Sequence, residues 1–169
     1  ASSKEEVESW GTRPGDMITP YIEYTRLNDT PFLLSKAWDN RIGVAVAIEV
    51  LKEAVAKGHE TILFSGANVQ EEVGLRGAKG ATHMIQPDIT VALDTGTAGD
   101  TPGMTAKEAD SELGKGPQVI VYDASMIGHK GLREFVVDIA EANNIPFQYT
   151  FIPGGGTDAG SQHQALNGI

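Results

Sequence analysis

Four carboxylates stand at positions where side chains could do chemistry. Glu71 and Glu72 are paired in Asn-Val-Gln-Glu-Glu-Val-Gly, Asp94 closes the run Ile-Thr-Val-Ala-Leu-Asp, and Asp39 lies in Trp-Asp-Asn-Arg ahead of a long amphipathic segment. Each has an ordinary explanation taken singly: Asp before a helix is a good N-cap, an Asp at a strand end forms turns, and a Glu pair is commonly a solvated loop. Together they carry more weight. Carboxylates gathered in space repel unless protonated or bound to a cation, so their grouping predicts a divalent metal site. Carboxylate-rich ligation suits zinc, manganese, cobalt or magnesium, and zinc usually recruits imidazole as well. The Glu-Glu step adds a mechanistic logic, in which one carboxylate binds the metal while its neighbour takes a proton from water held there.

A second feature is Gly154-Gly155-Gly156-Thr157-Asp158. It reads either as a backbone nest facing a substrate or as a tight strand-to-helix turn capped by Thr157 or Asp158. It does not fit a nucleotide-binding fingerprint, and the absence of a Gly-x-Ser-x-Gly elbow disfavours serine hydrolysis. Four histidines are available as imidazole donors. His59 reads as solvated, His83 as the surface of a helical stretch, His129 as a loop residue at a helix start, and His163 as core or near-site packing rather than a ligand.

The elements that must position these groups follow from periodicity. Val44, Ala47, Ile48, Leu51 and Val55 recur on one side of a helix expected from about Asn40 to Lys57, which Gly58 ends. A second helix is expected over Lys130 to Asn143, with Leu132, Phe135, Val136, Ile139 and Ala140 inward, and a third over Asp158 to Leu166. Strands are expected at Thr61 to Ala67, Ile89 to Asp94, Gln118 to Tyr122 and Phe147 to Ile152, near-continuously apolar in the manner of parallel strands. The alternation predicts an α/β fold, a three-layer αβα arrangement around a mixed, mostly parallel sheet. In such sheets ligands collect at the carboxyl ends of strands, where the acidic groups fall. Residues 1–36 form a separate region, with a short amphipathic piece at Lys4 to Ser9, a turn at Arg13-Pro14-Gly15-Asp16 and alternating β-like sequence from Met17 to Thr25; residues 37–169 form the main domain.

Composition narrows the function classes. Lys and Arg number 13 against 23 Asp and Glu, a formal net charge of −10 with no basic run, which argues against a nucleic-acid partner. There is no cysteine, so disulfide frameworks, thiolate metal sites and cysteine nucleophiles are excluded. No apolar stretch reaches bilayer length and no signal peptide is visible, so a cytoplasmic protein without membrane contact is expected.

Four ordered pieces make the sequence recognisable: Ala-Trp-Asp-Asn-Arg-Ile-Gly (37–43), Val-Gln-Glu-Glu-Val-Gly-Leu-Arg-Gly-Ala (69–78), Ala-Leu-Asp-Thr-Gly (92–96) and Pro-Gly-Gly-Gly-Thr-Asp-Ala-Gly (153–160). The chain resembles the M42 family of metallo-aminopeptidases, which includes glutamyl aminopeptidases and TET-type peptidases. The resemblance implies a zinc-peptidase-like catalytic domain and makes residues 1–36 the closing segment of an inserted β domain. It implies two divalent metal ions, zinc or cobalt, with Asp39 bridging them, Glu72 on one and Asp94 on the other. Glu71 matches the general base, Gly155, Gly156 and Thr157 the substrate-binding loop, and Asn40 and Arg41 supports beside the ligands. The implied reaction removes the N-terminal amino acid from a peptide, and the implied assembly is a homo-oligomer, a dodecamer.

Family members complete each metal with a histidine, one upstream of the inserted domain and one beyond the glycine motif. None of His59, His83, His129 or His163 matches either, so the sequence reads as an internal fragment of a longer enzyme. The competing readings are a non-catalytic α/β scaffold or assembly module, and a related zinc carboxypeptidase or deacylase.

Overall fold

The computed structural model describes residues 1–105 and 110–168; Ile169, the expected end of the main domain, lies outside them. It divides into two units, Ala1–Trp38 and Asp39–Ile169. In the first, helix α1 (Lys4–Ser9) is capped by the Ser3 hydroxyl, which accepts from the Glu6 amide at 3.2 Å. Two short antiparallel strands follow, β1 (Thr25–Arg26) and β2 (Leu33–Leu34), joined through a turn with Asp29 at φ 55°. The β structure expected from Met17 is confined to its last residue, Thr25, and continues to Arg26. Met17 and Ile18 are about nine-tenths exposed and no strand pairs with them among the described residues.

The second unit begins at a break in helix α2 (Trp38–Lys57), where Asp39 and Asn40 are non-helical and joined by a cis peptide. Gly58 ends the helix in left-handed geometry (φ 79°), as its freedom from a Cβ allows. Helix α3 (Arg76–Ile85) follows the Glu pair and buries Ala78 and Thr82. Strand β3 (Gln118–Tyr122), helix α4 (Lys130–Ala142) and strand β4 (Gln148–Phe151) form a parallel β-α-β unit in which Gln118 is opposite Gln148 and Tyr122 opposite Phe151, with an irregularity between Ile120 and Tyr122. Helix α5 (Asp158–Gln162) is shorter than expected and continues in turns. The architecture is α/β, and among the described residues no helix is long and apolar enough to cross a membrane.

Two expected strands are not formed. Residues 61–67 and 89–94 run without ladder partners among the described residues, and Ile62, Phe64, Ile89 and Val91 are exposed. The physical reason is pairing: a strand's N–H and C=O groups need a neighbour, and apolar pattern records a preference for burial without supplying one. The inward faces expected of the helices are corrected likewise. On α4 Val137 and Ala140 are buried whereas Phe135, Val136 and Ile139 are exposed, and on α2 Val44, Ile48 and Val55 are exposed. The total accessible surface, 12759 Å², compares with about 8,000 Å² for a folded monomer of this length.

Candidate active site

A cleft of about 190 Å³ in the second unit is lined by Asp39, Glu71, Glu72 and Asp94 on one part of its wall and by Gly155, Gly156 and Thr157 on another. The expected base, metal ligands and substrate-loop residues therefore open onto one space, while Asn40 and Arg41, expected as supports, are not part of its lining. The histidines do not line it. His59, His83 and His129 are exposed, and His129 caps α4 by accepting from the Leu132 amide at 3.1 Å. His163 is half-buried with Nδ1 3.1 Å from the Ala159 carbonyl.

Local sequence explains how each group is placed. Asn40, not Asp39, caps α2: its Oδ1 accepts from the Gly43 amide at 2.9 Å, which leaves the Asp39 carboxylate to the cleft. The other end of the same amide donates from Nδ2 to the Leu93 carbonyl at 2.7 Å, tying the start of α2 to the residue before Asp94. Gly43 is buried against this link, and a Cβ there would fall on both the Asn40 side chain and the Leu93 carbonyl. Asp94 is steadied by the Thr95 amide, which donates to its Oδ1 at 2.8 Å.

The Glu pair sits on a turn with Gln70, Gly74 and Leu75 at positive φ. The Gly74 and Leu75 amides donate to the Glu71 carbonyl at 3.1 and 2.9 Å, and Gly77 donates to the Val69 carbonyl at 2.9 Å. A side chain at Gly77 would meet the Val69 backbone, so α3 can begin this close to the turn only with glycine there. In the glycine segment the Gly155 carbonyl accepts from the Ala124 amide at 3.1 Å, and the Ser125 hydroxyl lies against Gly156 and Gly160. Ser125 is held by Asp123, which is 6% exposed; Asp123 Oδ1 accepts from the Ser125 amide, the Ser125 hydroxyl and the Met126 amide at 2.6, 2.7 and 2.8 Å.

Sequence reasoning missed Asn68, Asp123 and Ser125 as parts of this site. Their signal is weak, since turn-forming Asx and Ser residues are common. Asp158, expected to begin the last helix and to serve either in a backbone nest or as a cap, is the first helical residue behind Thr157, and its Oδ2 accepts from Asn68 Nδ2 at 2.8 Å.

The electrostatics are those of concentrated negative charge. Burial raises the Glu71 carboxyl above its ordinary range, and the charges of Asp94, Glu72, Asp158 and Asp39 push it further up. Asp94 is also raised, by burial first and by Asp39 and Asp158, against the lowering effect of the Thr95 hydrogen bond. No Lys or Arg is ion-paired with these five carboxylates among the described residues. Asp158 Oδ1 is shut off from solvent without a hydrogen-bond partner among them. Oxygen donors, unbalanced charge and an unsatisfied buried carboxylate oxygen suit a divalent cation. Among the described residues, however, no three His, Cys, Asp or Glu side chains stand close enough together to hold one, so the donors share a cleft without closing a cage.

Comparison with known proteins gives a consistent answer. The family described as M42 glutamyl aminopeptidase matches residues 1–169. The chain is 37% identical over 164 residues to the glutamyl aminopeptidase of Lactococcus lactis subsp. cremoris, covering 97% of this chain and 45% of that protein. A TET aminopeptidase crystal structure from a marine sediment archaeon of the Thaumarchaeota superposes with a TM-score of 0.90 at 40% identity, over 100% of this chain and 48% of that one. The TET1 peptidase of Pyrococcus horikoshii, which assembles into a tetrahedron or a large octahedral shell, has a TM-score of 0.69 at 33% identity over 85% and 42%. In each case the chain spans less than half the length of the relative.

Proposed function

The chain belongs to the M42 glutamyl aminopeptidase family, and from that premise we propose that the cleft is the centre at which the protein hydrolyses the N-terminal residue from a peptide. The observation that carries this reading is the convergence of Asp39, Glu71, Glu72 and Asp94 with the Gly155–Thr157 wall on one cleft. Asp39, Glu72 and Asp94 would contribute oxygen donors to two divalent ions, zinc or cobalt, without closing a cage around either by themselves. Bound there, such ions supply Lewis acidity toward the scissile carbonyl and an anchor for the free amine.

The remaining chemistry belongs to the chain's own side chains. Glu71 accepts a proton at its carboxylate as the attacking water forms the new C–O bond. It returns that proton to the departing amine as the C–N bond breaks, so no proton is gained or lost over the cycle. The backbone of Gly155 and Gly156, free of side chains, lets the substrate's main chain approach the wall.

The same reading extends to the whole protein. Residues 1–36 close an inserted β domain, and the β3–α4–β4 unit belongs to a three-layer, mostly parallel α/β sheet domain. The protein is a cytoplasmic homo-oligomer, a dodecamer, supported by the TET neighbours' assemblies and by the lack of cysteine. The deciding experiment compares Glu71→Gln and Glu72→Gln in the full-length protein. Glu71→Gln should abolish turnover of aminoacyl-p-nitroanilides while metal content after dialysis is unchanged; Glu72→Gln should lose metal first. Equal metal loss in both refutes the division of roles.

A further inference from the structure

The turn carrying Glu71 and Glu72 leads directly into α3, and the Gly155–Thr157 wall leads directly into α5. These two helices pack against each other. Where they begin, one side-chain bond joins them: Asn68 Nδ2 donates to Asp158 Oδ2 at 2.8 Å, between part-buried groups 90 positions apart. Asn68 precedes the Glu pair by three positions, and Asp158 follows Thr157 immediately. We propose that Asn68 and Asp158 are positioning residues, a clamp that ties the Glu71 turn to the glycine wall of the cleft.

Three observations support the clamp. Asp158 is not spent on capping, since Thr157 occupies the cap position of α5 without a side-chain cap bond and the Asp158 carboxylate reaches Asn68 instead. Its second oxygen is closed off from solvent and unpartnered among the described residues. The Asn68 amide is therefore a charge-assisted donor to a desolvated group, and removing it leaves a carboxylate uncompensated. Asn68 is also mechanically connected to the turn. A Cβ on Gly77 would come 3.3 Å from Asn68 Cβ, and the next two residues, Val69 and Gln70, accept from the Gly77 and Arg76 amides at 2.9 and 3.2 Å. Displacing Asn68 displaces the hydrogen bonds that set the Glu71 turn.

The catalytic consequence rests on the proposed role of Glu71, but the clamp can be tested without it. In the full-length protein, Asn68→Ala removes the donor, Asn68→Asp opposes two carboxylates, and Asn68→Asp with Asp158→Asn restores the bond with its polarity reversed. Two readouts are taken: amide hydrogen exchange at Leu75, Arg76 and Gly77, and kcat and KM on aminoacyl-p-nitroanilides. Asn68→Ala and Asn68→Asp should speed exchange about 10-fold and lower kcat about 10- to 100-fold with KM nearly unchanged, because small misplacements of a reacting group are costly. The swapped pair should recover both to within about threefold. Should Asn68→Asp not fold, recovery of folding in the swap supports the clamp and continued failure overturns it. Unchanged exchange in Asn68→Ala, or a swap no better than Asn68→Asp, also overturns it. A wild-type protein without peptidase activity removes the proposed function alone, and exchange still decides the clamp.

Discussion

Replacing Gly43 by alanine tests whether the Asn40 link organises the carboxylate cleft. In an unconstrained helix the change is favourable by about 1 kcal/mol, because alanine gives up less backbone entropy. At Gly43 the added Cβ falls on the Asn40 side chain and on the Leu93 carbonyl. If the side chain yields, the cap to Gly43 is lost at about 1 kcal/mol and the bond to Leu93 at about another 1 kcal/mol. If the Leu93 backbone must also shift, overpacking adds about 1–3 kcal/mol. Set against the helix gain, the net expectation is destabilisation of about 1–4 kcal/mol. Gly80 supplies an internal control, since it lies within α3 and a Cβ there meets nothing within 4 Å. Gly80→Ala should stabilise by about 0.5–1 kcal/mol. Urea melts of the two variants and the parent, at matched m-values, give both numbers. A Gly43→Ala protein as stable as the parent, or shifts of the same sign in both variants, refutes the reasoning. Because Asp39 adjoins Asn40 and Asp94 adjoins Leu93, Gly43→Ala should also weaken metal retention, whereas Gly80→Ala should not.

Two further expectations concern the same charges. Residues 1–169 by themselves should bind zinc weakly and turn over no aminoacyl-p-nitroanilide, since the cleft presents carboxylates without imidazole; tight binding of two zinc ions with turnover in calorimetric titration and assay contradicts this. With metal chelated, stability should fall as pH rises: Glu71 and Asp94 bind protons more tightly folded than unfolded, so their contribution is full below the ordinary carboxylate value near 4 and is lost as pH passes upward through their raised folded values. Denaturant melts across that window in chelator check the sign, and a stability that rises through it is the opposing result.

The candidate site was more legible than the sheet, for a physical reason. Asp39, Glu71, Glu72 and Asp94 are marked by residue type and by neighbours that constrain the backbone, such as Gly43 beside Asn40 and Gly77 beside Val69. Those constraints are local and survive in the sequence. Strands β3 and β4 were legible because each finds the other across α4, and α4 itself begins at Lys130 as expected. Segments 61–67 and 89–94 carry the same apolar signal, but pairing is a property of two chains of residues and cannot be read from one. At Asp39 two readings competed, N-cap and site residue: Asn40 takes the capping bond to Gly43, and the Asp39 carboxylate lines the cleft.

The Ser125 hydroxyl beneath the glycine wall has a consequence for which sequences the fold can accept. Ideal Cβ atoms at Gly156 and Gly160 would lie 3.2 and 2.6 Å from Ser125 Cβ. Serine to alanine at position 125 removes the hydroxyl and leaves the tighter of those overlaps in place, so only glycine at 125 makes room for a side chain at 160. The three positions therefore share a fixed allowance of volume. Drift at any one is confined by the others, and a lineage that enlarges residue 160 must first shrink residue 125, an order of substitution set by geometry before selection on activity acts.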